Sequence, residues 1–336
     1  MRLTIQDYEV YVGDKMLNDL PKYIRFAYED KKLFIITDTT VQSLYENLMK
    51  EILIDFELEF VAVAPGEVSK SWKTYQEVIK QLIALGMKRN HMIIALGGGV
   101  VGDLAGFVAA TLYRGQPYIQ IPTTLLAQVD SSIGGKVGID LPEGKNLVGS
   151  FYNPKFVMVD PLFLETLPER EYNQGVAEMI KVGLIRSTHL FNHFKQNDKV
   201  TQKQIIQAIV AKREIVNKDP NDQNERMLLN FGHTFGHAIE KKFNYQTYLH
   251  GEAISYGMLL AIEFGIEKNA THPKLYGEVL KILLRLGLVK EPFFTRDELK
   301  PFINTDKKNT SEGFNFILVR NVGDAIILLL DSGDDL

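Results

Sequence analysis

The chain has no cysteine. Disulfides, thiolate metal ligands and thiol nucleophiles are therefore excluded, and a protein-held metal ion would rest on histidine and carboxylate. It also lacks a basic excess: 38 Lys and Arg stand against 42 Asp and Glu, a formal net charge of -4. That balance argues against a nucleic-acid partner, while leaving room for a local basic pocket. No stretch approaches the ~20 apolar residues of a membrane span. Met1 to Val12 mixes polar and apolar residues and does not read as a signal peptide. The expectation is a cytoplasmic protein with neither membrane nor nucleic acid as partner. At 336 residues the chain is long for one core, and two domains are expected.

What is present divides the chain in two. Leu33 to Thr37, Leu58 to Ala64, Met92 to Leu96, Tyr118 to Ile121 and Phe156 to Val159 read as strands, several apolar throughout. Uninterrupted apolar strands suit a parallel sheet buried on both faces. Thr74 to Leu85 has helical spacing and stops at Gly86, so the pattern is βαβ. Beyond Asp160 helices take over: Glu171 to Phe194, Thr201 to Asn217, Met227 to Lys242, Glu252 to Lys268 and Leu275 to Leu286. Phe316 to Val319 and Ala325 to Leu330 suggest a small terminal hairpin. The expected architecture is a Rossmann-like α/β domain over residues 1–160 and a mostly helical domain over 161–336, with a ligand cleft between them.

Gly97 to Gly102 satisfies G-x-G-x-x-G between a strand and an apolar helix beginning near Val100. Glycines there let a backbone approach a pyrophosphate, and the free N–H groups of Gly98, Gly99, Val100, Val101 and Gly102 favour its charge. A tight turn without ligand is the alternative. The acid expected ~20 residues downstream is missing around Pro122. Asp38, ending the strand at Leu33 to Thr37, could replace it from a neighbouring strand, or could simply cap the next helix.

Further on, Thr123-Thr124, Asp130, Ser131 to Lys136 and Gly144-Lys145-Asn146 read as glycine-rich loops that set lysines beside hydroxyls. Such loops suit phosphate or carboxylate groups, and Arg114 adds a planar fork for an anion.

His233 and His237 are four apart on one helix face, a metal-ligand spacing. His250 opens the next helix and Glu178 offers an acid from an earlier one; two histidines and a glutamate from separate helices would make an open site. Spacing alone would make ligands of both His233 and His237. Lys181 lies one turn beyond Glu178. Lys212, Asp219, Arg226 and Asn230 precede His233 at intervals near whole helical turns, so they read as one helical face running into the pocket.

The sequence resembles 3-dehydroquinate synthases, among the sugar-phosphate cyclases, over essentially its whole length. The resemblance is carried by PGEVSKSW at Pro65 to Trp72, GGGVVGDLAGFVAATLYRG at Gly97 to Gly115 and IPTTLLAQVDSSIGGKVGID at Ile121 to Asp140. GKNLVGSFYNP, ETLPER, LLNFGHTFGHAIE at Leu228 to Glu240 and YLHGEA at Tyr248 to Ala253 extend it. It implies an NAD domain, a helical domain, a zinc or cobalt ion and a homodimer. Glu178, His233 and His250 then match the metal ligands, and His237 turns toward the substrate. Asp38, Glu67, Lys70, Gly99, Asp103, Thr123, Thr124, Phe163 and Thr166 match cofactor contacts, and Lys136 counts among these as well as in the substrate pocket. Asp130, Lys136, Asn146, Lys181, Lys212, Arg226, Asn230 and His237 match the substrate pocket. Arg114 matches an arginine that reaches the phosphate across the dimer, Lys145 a lysine at the cofactor–substrate junction, and Lys307 or Lys308 a carboxylate-binding lysine. Pro220 departs from the family, where an acid is more usual.

The implied reaction is a shikimate-pathway step. It turns 3-deoxy-D-arabino-heptulosonate 7-phosphate into 3-dehydroquinate and phosphate, through NAD-mediated transient oxidation, phosphate elimination, re-reduction and intramolecular aldol closure. No strong side-chain base is evident, which fits a substrate phosphate assisting its own elimination. Relatives acting on non-acid sugars tend to change the equivalents of Lys136, Asn230 or His237, all retained here.

Overall fold

The computed structural model describes residues 1–303, 309–310 and 313–330. The chain forms two compact units, Met1–Pro168 and Glu169–Leu336.

In the first unit, β1 (Arg2–Ile5) and β2 (Tyr8–Val12) form an antiparallel hairpin, followed by α1 (Leu20–Ala27) and β3 (Lys32–Asp38). Then come α2 (Thr39–Ile52), β4 (Glu57–Val63), α3 (Trp72–Ala84), β5 (Met92–Gly97), α4 (Gly99–Thr111) and β6 (Tyr118–Pro122). A second hairpin, β7 (Lys136–Leu141) with β8 (Gly144–Phe151), precedes β9 (Phe156–Val159). The main sheet runs β1-β2-β9-β6-β5-β3-β4, parallel from β2 onward.

Period-two alternation explains why these strands are apolar throughout. Phe34, Ile36, Ile93 and Ala95 join a core with Val78, Leu82, Leu104 and Val108 of α3 and α4. Their neighbours Leu33, Ile35, Met92 and Ile94 join another with Leu20, Ile24, Tyr45 and Met49 of α1 and α2. Each face thus needs its own apolar set. The turn Pro161–Thr166 stays with this unit, because Phe163 is buried in the second core against Tyr45.

Two features differ from the sequence expectation. The N-terminal hairpin carries an alternating buried pattern but is too short to stand out. The glycine-rich lysine loops are largely strand: Lys136 opens β7, and Lys145 and Asn146 lie on β8.

The second unit contains α5 (Glu169–Arg186), α6 (Thr188–Gln196), α7 (Gln202–Lys218), α8 (His233–Lys242), α9 (His250–Glu267) and α10 (Lys274–Arg285). It ends with an antiparallel sheet of β10 (Asn309–Thr310), β11 (Gly313–Asn321) and β12 (Asp324–Leu330), which includes the expected hairpin. The helix expected over Glu171 to Phe194 is two, because the Ser187 hydroxyl accepts the Leu190 N–H and starts α6. The helix expected from Met227 starts only at His233. A 3₁₀ turn over Glu225–Asn230 and Gly232 at φ 77° come first.

This break corrects the reading of Lys212, Asp219, Arg226 and Asn230 as one helical face. The α7 helix ends at Lys218, and the Asp219 carboxylate accepts N–H groups of Gln223, Asn224 and Arg226 at 3.1, 2.6 and 3.1 Å. Burial would raise the Asp219 pKa, but these three bonds outweigh it and hold it low. Among the described residues, no helix is long and apolar enough to cross a membrane.

Candidate active site

The second unit places a carboxylate and two imidazoles face to face. Glu178 sits inside α5 with a side chain 1% exposed, an expensive place for a charge unless it is paired. Lys181, one turn on and also buried, forms an ion pair with Glu178 Oε2. Glu178 Oε1, shielded from solvent and without a hydrogen bond, lies 3.4 Å from His250 Nε2 and 3.8 Å from His233 Nε2. His233 is the first residue of α8 and His250 the first of α9, so two helix starts deliver them to one point on α5.

The other ring nitrogens each have an oxygen acceptor within reach. His233 Nδ1 is 3.1 Å from the Phe231 carbonyl, and His250 Nδ1 is 3.4 Å from Glu240 Oε1. A proton held on each Nδ1 would leave both Nε2 atoms to offer a lone pair to an ion beside Glu178 Oε1. One donor atom from each of Glu178, His233 and His250 lies within 4.8 Å of the others. Burial first, then the Lys181 cation, pushes His233 well below the usual histidine pKa. Burial would lower His250 too, but Glu178 and Glu240 outweigh it and raise its pKa to about 9. The Glu178 carboxyl, which burial alone would raise, is held below the usual range by Lys181 and His250.

His237, the fourth residue of the spacing argument, is outside that group. It is largely exposed, 4.0 Å from Glu240 Oε2, and forms a second possible donor set with Glu240 and His250. Glu240 was not singled out in the sequence, although it follows His233 by two helical turns on one face of α8. Lys212 and Arg226 are further buried cations of this unit, and Arg226 donates to the Pro220 carbonyl at 2.7 Å. Pro220 therefore serves through its carbonyl, which proline retains. Asn230 is half-buried at the end of its 3₁₀ turn. Lys307 and Lys308 lie outside the described residues.

In the first unit the glycine turn lies at a topological switch point. From β3 the chain runs to β4 on one side and then to β5 on the other, so a crevice opens at the carboxyl ends of β3 and β5. Gly98 caps α4 with no side chain, leaving the first N–H groups of the helix for a ligand. Thr123 donates its N–H to the Gly97 carbonyl, and its buried hydroxyl has no hydrogen bond. Thr124 Oγ1 accepts the Ala127 N–H at 3.1 Å, starting a π turn at Ala127–Ser131 that contains Asp130. Asp38 ends β3 beside this crevice and caps α2 through Oδ1, accepting the N–H groups of Thr40 and Val41.

The remaining first-unit residues fall into three groups. Lys70, buried, pairs with Asp103 at 2.5 Å and donates to Asn146, while Lys145 sits 3.7 Å from Glu67. Burial would depress the Lys70 pKa, but Asp103 and Glu67 outweigh it and raise it. Asn146 is anchored in turn by Asp140, which accepts its N–H at 2.7 Å. The structure thus gathers Glu67, Lys70, Asp103, Lys145 and Asn146 into one cluster. Separately, Thr166 bonds to the Tyr45 hydroxyl, while the Phe163 side chain lies in the core, leaving only its backbone for a ligand. Lys136 and Arg114 are exposed.

Residues 60–174 match the 3-dehydroquinate synthase N-terminal family and residues 175–309 the 3-dehydroquinate synthase C-terminal family. A 3-dehydroquinate synthase of Clostridium botulinum is 40% identical over 333 residues, covering 96% of this chain and 95% of the relative. A solved 2-epi-5-epi-valiolone synthase from Streptomyces hygroscopicus, with NAD+ and Zn2+ bound, has a TM-score of 0.88 at 27% identity, covering 98% of this chain and 94% of that one. A solved 2-deoxy-scyllo-inosose synthase, complexed with carbaglucose-6-phosphate, NAD+ and Co2+, has a TM-score of 0.85 at 26% identity, covering 98% and 96%.

The likeness to these two cyclases in sequence and fold, together with the Glu–His–His cluster, places the chain among the sugar-phosphate cyclases. Within that class the chain belongs to the 3-dehydroquinate synthase family. Its activity is a carbon–oxygen lyase step of the shikimate pathway: conversion of 3-deoxy-D-arabino-heptulosonate 7-phosphate into 3-dehydroquinate and phosphate, on the way to aromatic amino acids.

Proposed function

We propose that Glu178, His233 and His250 hold the divalent metal ion, zinc or cobalt, that this reaction uses, and that the first unit binds NAD. The observation that carries the metal assignment is the convergence of two imidazole Nε2 atoms on the shielded Oε1 of Glu178. Two nitrogens and one carboxylate oxygen are the donor set of an open zinc-type site. For NAD, the supporting observations are the uncapped start of α4 and the unbonded Thr123 hydroxyl at the switch point. When bound, the metal supplies Lewis-acid polarisation and the dinucleotide a reversible hydride acceptor.

The chain's own residues do the rest. Lys181, Lys212 and Arg226 are cations buried in the second unit, Lys181 beside Glu178 and Arg226 beside Asp219. They bind the phosphate and carboxylate of the substrate, with the Asp219 turn fixing the backbone that presents Arg226. Asn230 and His237 orient substrate hydroxyls, and His237 takes part in proton transfer. Lys70 and Asp103 position the cofactor, Lys145 and Asn146 stand at its junction with the substrate, and Asp130 and Lys136 face the substrate. Asp38 has a second carboxylate oxygen for the ribose while Oδ1 caps α2. The first unit is the NAD domain and the second the metal and substrate domain. The protein works in the cytoplasm as a homodimer in which Arg114 reaches the partner's substrate phosphate.

Phosphate release from the heptulosonate phosphate, glucose 6-phosphate and sedoheptulose 7-phosphate tests the substrate. A site built for a carboxylate should favour the heptulosonate by at least about a hundredfold in kcat/KM. No net NADH should accumulate. Preference for either other sugar, or NADH formed in step with product, contradicts the assignment.

Gly99→Ala tests the cofactor site. A methyl there would lie 2.9 Å from Ser131 Oγ, on the surface where the pyrophosphate approaches. Alanine is a better helix former than glycine, so the fold should persist. Calorimetric titration should show NAD bound about tenfold more weakly or worse, with metal content unchanged. Unaltered NAD affinity would remove the glycine turn from the site.

A further inference from the structure

Glu240 is a carboxylate buried in α8 at 2% exposure, and nothing so far gives it a part in the reaction. Its Oε1 lies 3.4 Å from His250 Nδ1, and its Oε2 is 4.0 Å from His237 Nε2. We infer that Glu240 is the positioning residue of the metal centre: it accepts the Nδ1–H of His250 and thereby presents Nε2 of that ring to the ion. The inference rests on the reading of Glu178, His233 and His250 as ligands.

The two histidines are held differently. His233 Nδ1 faces the carbonyl of Phe231, a neutral acceptor supplied by the backbone. His250 Nδ1 faces a charged side chain, which fixes the tautomer and also makes the ring a stronger donor. The same contact decides between the two possible donor sets. A ring that carries its proton on Nδ1 has no lone pair there, so His237, Glu240 and His250 cannot hold an ion of their own while Glu240 accepts that proton. One carboxylate therefore commits the cluster to a single ion facing Glu178. Glu240 is buried with its charge because a helix face that carries His233, His237 and Glu240 at whole-turn spacing turns it inward toward the start of α9.

The test is cobalt affinity, measured by competition with a chromophoric chelator, in the parent and in Glu240→Ala, Glu240→Gln and Glu178→Gln. Removing an outer carboxylate partner should weaken cobalt binding ~10- to 100-fold in Glu240→Ala. Glu240→Gln should fall between, because its amide oxygen still accepts the ring proton. The visible spectrum of bound cobalt should shift in Glu240→Ala, a change that a merely structural role would not produce. Cobalt affinity of Glu240→Ala within about threefold of the parent, beside a weakened Glu178→Gln, overturns the positioning role alone. So does a lowered metal-free midpoint with an unchanged cobalt spectrum, which marks a merely structural residue. A second equivalent of cobalt in the parent, lost in Glu240→Ala, also overturns it by assigning Glu240 as a ligand. Parent-like affinity in Glu178→Gln instead removes the site reading, and this inference with it.

Discussion

Changing His250 to Ala, or Glu178 to Gln, is expected to empty the metal centre and lower kcat by at least about a thousandfold. The size follows from the several kcal/mol of charge stabilisation a Lewis acid supplies, at about 1.4 kcal/mol per tenfold in rate. His250→Ala removes one of two nitrogen donors and leaves Glu178 with Lys181 as its buried counter-charge. Glu178→Gln takes away the only anionic ligand and also strands Lys181, 2% exposed, without its partner. Both variants should also lower the metal-free midpoint, since Glu178→Gln strands Lys181 and His250→Ala takes a raised-pKa imidazole away from buried Glu240. Both should bind NAD as the parent does, because the glycine turn, Lys70 and Asp103 all lie in the first unit. Metal analysis with a coupled phosphate assay checks this. Normal metal content and turnover in both variants would refute it.

Gly257→Ala is expected to disturb the same centre through packing. The α8 and α9 helices cross so closely that a methyl on Gly257 would lie 2.0 Å from the Gly232 carbonyl oxygen and 2.7 Å from the Gly236 nitrogen. Both are backbone atoms, so no rotamer change relieves the clash. The helices must separate, and His233 and His250 open these two helices. Overpacking of this kind costs roughly 1–3 kcal/mol, a fall of about 2–12 °C in thermal midpoint for a unit of this size. Metal affinity should fall with it. Gly277→Ala, in α10 with open space around its Cα, is the control. Ordinary helix propensity should make it stabilising by about 0.5–1 kcal/mol. A Gly257→Ala protein as stable as the control would contradict the close approach.

The parallel sheet was legible because burial on both faces leaves no polar position in strands such as Met92–Gly97. The glycine turn was legible because its residues are contiguous. What escaped depends on contacts distant in sequence. Asp38, proposed in place of the acid missing downstream of the turn, lies on β3, a neighbour of β5 only through the strand order. Lys136 and Lys145 looked like loop lysines because glycines surround them, yet β7 and β8 pair in a hairpin where Gly138 and Gly149 face each other. Helical spacing carried Asp219 and Arg226 into one face because intervals cannot reveal a break. The break is made by a carboxylate that binds the backbone beyond it. Spacing likewise paired His233 with His237. The proposed ligand set rests on which nitrogen each ring turns toward Glu178, a contact between residues distant in sequence, with Phe231 and Glu240 within reach of the other nitrogens.

Anomalous diffraction at the cobalt edge, from crystals of the cobalt-loaded protein, tests the central claim most directly. The expected result is one ion per chain, bonded to a Glu178 oxygen and to Nε2 of His233 and His250. An ion bonded instead to His237, Glu240 and Nδ1 of His250, or none near α5, would contradict it.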